Sequence, residues 1–175
     1  MRSLSPSLQP ALADSDFVFD GGPAWTAERA LDIAHRAGIE HQAPIALRDL
    51  EYAMTPASSQ WFGQRLPVLW TMFNSTREAD PRALGIWMTE TAYLLADLPH
   101  DIVAHSIDEA IRTSGHGFMP GVGEIRKIAN PLVAERRHQI DRLGQMVAAL
   151  NDPVATAARA ERREEQRRRL EMHAE

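Results

Sequence analysis

The 175-residue sequence has no cysteine, which excludes disulfides and thiolate metal sites and leaves the compartment to be inferred from other features. It has a single lysine, Lys127, and every other basic side chain that is not histidine is arginine. That skew fits a GC-rich coding sequence and says little about function. No stretch approaches the roughly 18 consecutive apolar residues of a membrane span. The opening Met1-Arg2-Ser3-Leu4-Ser5-Pro6-Ser7-Leu8 lacks an apolar run followed by a small-residue cleavage site, so it does not read as a signal peptide. A soluble cytoplasmic protein with no membrane partner is expected. Strand-like alternation and internal repeats are also lacking. The predicted class is all-α, a small helical bundle with a long C-terminal helical arm.

Catalytic motifs are missing as well. There is no Gly-x-Ser-x-Gly elbow around any serine, Ser106 and Ser114 included. Gly115, Gly117, Gly121 and Gly123 look suited to phosphate, but no Lys-Ser/Thr pair follows them and no strand precedes them, as a P-loop requires. His100, Asp101, His105 and Asp108 invite a metal reading, the last three at i, i+4 and i+7 of one helix. No HExxH-type pair supports it, and all four fit a solvated face opposite Val103 and Ile107. His116, between two glycines, reads as an exposed loop residue. The expectation is a protein with no catalytic residues, no metal and no cofactor.

Charge is unevenly placed within a net of −5. Residues 1–120 carry 8 basic and 15 acidic side chains, and residues 121–175 carry 11 and 9. An acidic body with a mixed-charge arm lacks the strongly positive face of a dedicated DNA-binding domain. It suits protein partners better, with DNA contact weak or indirect.

Punctuation divides the chain. Residues 1–22 mix Ser, Pro, Asp and Gly around one apolar patch, Phe17-Val18-Phe19, and are expected to form a flexible tail whose patch docks elsewhere. Thr26 and Gly38 bracket a first helix. Pro44 opens a second, with Leu47, Leu50 and Met54 in register. Ser58 or Ser59 caps a third carrying Trp61, Phe62, Leu66, Leu69, Trp70 and Phe73, with Pro67 expected to kink or split it. Asp80-Pro81 starts the clearest helix, whose stripe is Leu84, Trp87, Met88, Thr91, Leu94, Leu95 and Leu98. Pro99 starts its antiparallel partner, lined by Val103, Ile107, Ala110, Ile111 and Ser114. The bundle is placed at 23–129.

Then comes Gly117-Phe118-Met119-Pro120-Gly121-Val122-Gly123-Glu124-Ile125, a rigid structural corner. Phe118 is expected to anchor it, Pro120 to delay the helix, and Gly121 to serve as N-cap with Glu124 at the third helical position. Ile125, Ile128 and Ala129 point inward. Asn130-Pro131 is expected to interrupt or bend the helix and free an arm at 131–175, partly disordered at its end. Along that arm Val133, Arg136, Ile140, Leu143, Val147, Leu150, Val154 and Ala157 alternate at spacings of four and three, a heptad seam that Pro153 breaks. Arg136, Arg137, Ile140, Leu143, Val147 and Leu150 are the candidate partner-binding residues. The seam can also be read as packing back on the body.

The span from Arg65 to about Arg137 resembles small phage and prophage replication proteins, in particular replicative helicase loader/inhibitor proteins. The resemblance rests on Leu66-Pro67-Val68-Leu69-Trp70, on Trp87-Met88 through Leu94-Leu95-Ala96-Asp97-Leu98-Pro99, on Ile107-Asp108-Glu109-Ala110-Ile111-Arg112, and on Phe118-Met119-Pro120-Gly121-Val122-Gly123-Glu124-Ile125. Phe118, Pro120, Glu124 and Ile125 match that family's turn. Gly121 and Gly123 depart from it, standing where a capping Thr or Ser and an Ala are expected. The resemblance implies a small helical domain whose C-terminal segment engages a hexameric replicative helicase, with an origin-binding protein as a further candidate partner. Two other readings stay open: an inhibitor of a host defence or transcription complex, and a direct nucleic-acid binder using Arg126, Lys127, Arg136, Arg137 and the distal arginines.

Overall fold

The computed structural model describes residues 4–15, 24–73, 80–114 and 117–172. These residues are all-α: α1 (Gln9–Leu12), α2 (Ala27–Arg36), α3 (Gln42–Tyr52), α4 (Ser59–Phe73), α5 (Pro81–Leu95), α6 (His100–Thr113), α7 (Val122–Asn151) and α8 (Pro153–Met172). Phe17-Val18-Phe19, Gly115 and His116 lie outside them.

Helix ends follow local chemistry. Thr26 caps α2, its Oγ1 accepting from Arg29 N at 3.3 Å. At the other end Gly38 takes φ +70°. There Ile39 N donates to Ala34 O and Gly38 N to His35 O, the paired bonds of a Schellman stop. Ser58 Oγ accepts from Trp61 N at 3.1 Å before α4, and Asp80 Oδ1 from Arg82 N at 3.0 Å before α5. Pro44 falls inside the first turn of α3, where its missing N–H is not needed.

Two prolines expected to kink, bend or interrupt helices do not split them. Pro67 lies inside α4 and Pro131 inside the 30-residue α7. Each removes one donor, yet the residues around it bury their apolar side chains: Leu66 and Leu69 in α4, Ala129 and Val133 in α7. Burial of Leu66 and Leu69 in α4 and of Val133 in α7, each worth about 1.5–3 kcal/mol, is of the same order as the roughly 3 kcal/mol that an interior proline costs.

The chain divides into two compact units. The division falls elsewhere than the expected bundle at 23–129 and arm at 131–175. The first unit takes in Asp49–His138. Its core is Phe62, Leu66, Leu69, Leu95, Leu98, Ile102, Val103, Ile107, Ala110, Ile125, Ala129 and Val133. Half-buried Trp61, Phe73, Trp87, Met88 and Met119 pack against it. Trp87 is therefore a flank of the core, with its ring 5.3 Å from that of Trp70, and Leu94 is exposed.

The second unit joins Leu4–Arg48 to Gln139–Glu175. Its buried apolar residues include Leu4, Leu8, Ala11, Leu12, Leu31, Ala34, Leu143 and Met146. Residues 4–15 are thus no free tail, and a buried cation explains why. Arg142 of α7 donates to Leu12 O, pairs with Asp14, and lies 5.0 Å over the Trp25 ring. Trp25 Nε1 in turn donates to Ala11 O at 2.9 Å.

Candidate functional site

The turn between α6 and α7 is fixed from both ends. Ser114 Oγ, just past α6, donates to Phe118 O at 2.7 Å. Gly117 takes φ +67°, a conformation that costs glycine little and other residues considerably more. Past the turn, Gly121 N donates to Glu124 Oε2 at 2.8 Å, while Glu124 N and Ile125 N both bond Gly121 O. This is the helix start expected from the sequence, with the Glu124 side chain reaching back to an N–H beside the positive end of α7.

Phe118 corrects the sequence reading. It is 77% exposed, so it does not anchor the corner. Pro120 is buried, Met119 is packed against the core, and Ile125 is 1% exposed. The neighbours of Phe118 therefore hold the backbone, and the aromatic ring is what the corner presents. Met119 and Pro120 take the inward positions, and Phe118 is left outward. Nothing in its residue type signals the direction.

Nearby, Arg126 of α7 spans to the end of α5. Its Nε donates to Leu94 O at 2.9 Å and its Nη2 pairs with Asp97. A cation against the last carbonyls of a helix is favourable for the helix dipole, and the bond fixes the start of α7 against α5. Arg65 pairs with Asp108, and Arg112 with Glu109. The exposed apolar set of this unit also includes Tyr93 at 75% and Ile86 at 57%.

The seam residues are not presented together. Arg136 is 4% exposed and forks onto Asp101, Nη1 to Oδ1 and Nη2 to Oδ2, both at 2.8 Å. Nη1 also donates to Ala53 O at 2.8 Å. Arg136 thus ties α7 to the first turn of α6 and to the end of α3. Arg137 is exposed, Leu143 is fully buried, and Ile140, Val147 and Leu150 are half-buried. All but Arg137 belong, with Leu143 buried, to the interior or flank of a unit, and residues 139–150 group with Leu4–Arg48. The sequence reading missed Arg142 and Met146, both buried. Met146 lies three residues past Leu143, so its spacing could have marked it. Arg142 carried no such signal.

Asp101 is engaged by Arg136, and the His100 ring stands edge-on to Trp61 with centroids 4.9 Å apart. Among the described residues, no group of three or more His, Asp or Glu side chains is arranged to hold a metal ion, and no helix is long and apolar enough to cross a membrane. Comparison of the chain with protein-family models, with curated proteins and with solved structures finds no match.

Proposed function

We propose that this chain is a non-enzymatic adaptor of phage or prophage replication, which binds a hexameric replicative helicase and assists or restrains its loading on DNA. The resemblance over Arg65–Arg137 supports this reading. That span falls within one compact unit and contains the corner whose residues match the family's turn. The observation that carries the proposal is Phe118, 77% exposed on a backbone held by the Ser114 and Glu124 bonds. An aromatic side chain on an ordered backbone has few rotatable bonds to fix on docking, which favours such residues as interface anchors.

The proposed grip is accordingly the corner, with Phe118 entering a pocket on the partner. Arg136 and Leu143 hold their own units together and leave the list of contact candidates. Direct nucleic-acid binding gains little support, because Arg126 and Arg136 are already paired with Asp97 and Asp101. The test is co-elution of the purified chain with the replicative helicase of its bacterial host on size exclusion. Stable comigration supports the proposal, and separate elution at micromolar concentrations of both proteins contradicts it.

A further inference from the structure

Helix α8 belongs to the second unit, yet only one of its residues, Arg159, is buried. A helix that docked through the hydrophobic effect would bury an apolar stripe. Val154, Leu170 and Met172 of α8 are instead 77%, 66% and 68% exposed. What joins α8 to α2 is charge. Arg159 Nη1 and Arg162 Nη2 bind the two oxygens of Glu28 at 2.7 and 2.9 Å. Arg163 Nη2 lies 3.4 Å from Asp32 and 2.9 Å from Glu40.

These bonds change character along the helix. Arg159 is 3% exposed and also donates to Ala149 O and Thr156 Oγ1, each at 2.8 Å. It is an anchor at the root. Arg162 is 57% exposed against Glu28 at 41%, the pair most open to screening by salt, whereas Arg163 is 28% exposed against Asp32 at 45% and Glu40 at 27% and is screened less. The Arg163 attachment is also incomplete: its Nε is buried and no acceptor among the described residues bonds it, which costs free energy in the docked state. Beyond Arg163, the ion pairs run within α8 itself, Arg167 and Arg168 to Glu164 and Arg169 to Glu165. Gln166, Arg167 and Leu170 face Asp32, His35 and Arg36 across a cleft of about 490 Å³, so the distal half stands off α2.

We infer that the segment from Ala160 to Met172 is an ionic strap, hinged at Arg159 and able to leave α2 while the rest of its unit stays folded. Raising the salt shortens the screening length from about 8 Å at 0.15 M to about 3 Å at 1 M, and so should release it. This inference rests on the contacts of α8 alone and is independent of the proposed partner.

The absence of native cysteine allows two spin labels to be placed on the full chain, at Ala37→Cys and Met172→Cys, both exposed positions. At 0.05 M NaCl a single narrow distance distribution is expected. At 1 M NaCl that population should fall by more than about half in favour of a broad, longer one, with the thermal melt of the chain still cooperative. Arg162→Gln with Arg163→Gln should give the broad distribution already at low salt. An unchanged narrow distribution at 1 M NaCl would overturn the inference. So would broadening that occurs only together with loss of the thermal transition, since α8 would then be part of the cooperative core.

Discussion

At the residue scale, the arginines divide by where their charge goes. Arg136 is a bolt: its fork onto Asp101 and its bond to Ala53 O hold three helices. Removing it leaves a half-buried carboxylate and a carbonyl without that donor. Arg136→Ala should therefore cost about 3 kcal/mol in chemical denaturation, and Arg136→Lys should recover little of it because an ammonium cannot reproduce the fork. A loss below about 1 kcal/mol would mean the pair is not a structural tie. Glu40 makes a pH prediction. Partial burial pushes its carboxyl up, but the hydrogen bonds and charges of His35 and Arg163 outweigh that and hold it below the ordinary carboxylate value. A depressed native pKa gives stability that is present above the unfolded value and lost as pH falls through the native one. Glu40→Gln should thus lower the melting temperature at pH 7, and the difference from wild type should shrink on acidification below about pH 4. A difference independent of pH would contradict this.

At the scale of elements, much was legible in the sequence. Thr26, Ser58, Asp80 and Gly121 start helices where capping chemistry places them, and Gly38 ends one. The core face of α6 appears at the expected Val103, Ile107 and Ala110. The continuity of α7 was not legible, because the price of Pro131 is a local quantity and the burial that offsets it is tertiary. That one break also misplaced the division of the chain. With α7 unbroken, Leu143 and Met146 face the second unit's interior, and residues 4–15 find a place that their Ser- and Pro-rich composition did not announce. Leu143→Ala should accordingly destabilise by about 2–5 kcal/mol, as cavity-forming core changes do. Truncation after Asn130 should impair the fold of both units, since Val133 and Arg136 are lost from one and Leu143 and Met146 from the other. A truncated chain with an unaltered melt would show that the seam is expendable to folding.

For the whole molecule, the absence of an assembled nucleophile, ligand set or phosphate loop in the sequence leads to the expectation of no intrinsic ATP turnover, checked by a phosphate-release assay on the purified chain. Turnover that persists through purification and depends on a named side chain would contradict it. The corner is where sequence and structure contribute different things. The Phe-Met-Pro-Gly-Val-Gly-Glu-Ile string announced a rigid helix start, but only the packing of Met119 and Pro120 reveals that Phe118 is turned outward. We propose that this ring grips a replicative helicase. Titrating the host helicase with the wild-type chain and with Phe118→Ala, by calorimetry, tests it most directly. The wild-type chain should bind, and Phe118→Ala should weaken binding about 30-fold or more, as loss of an interface anchor does, with its melt unchanged because the exposed ring contributes little to the core. Equal affinity of the two chains for the helicase, or no binding by either, would contradict the claim.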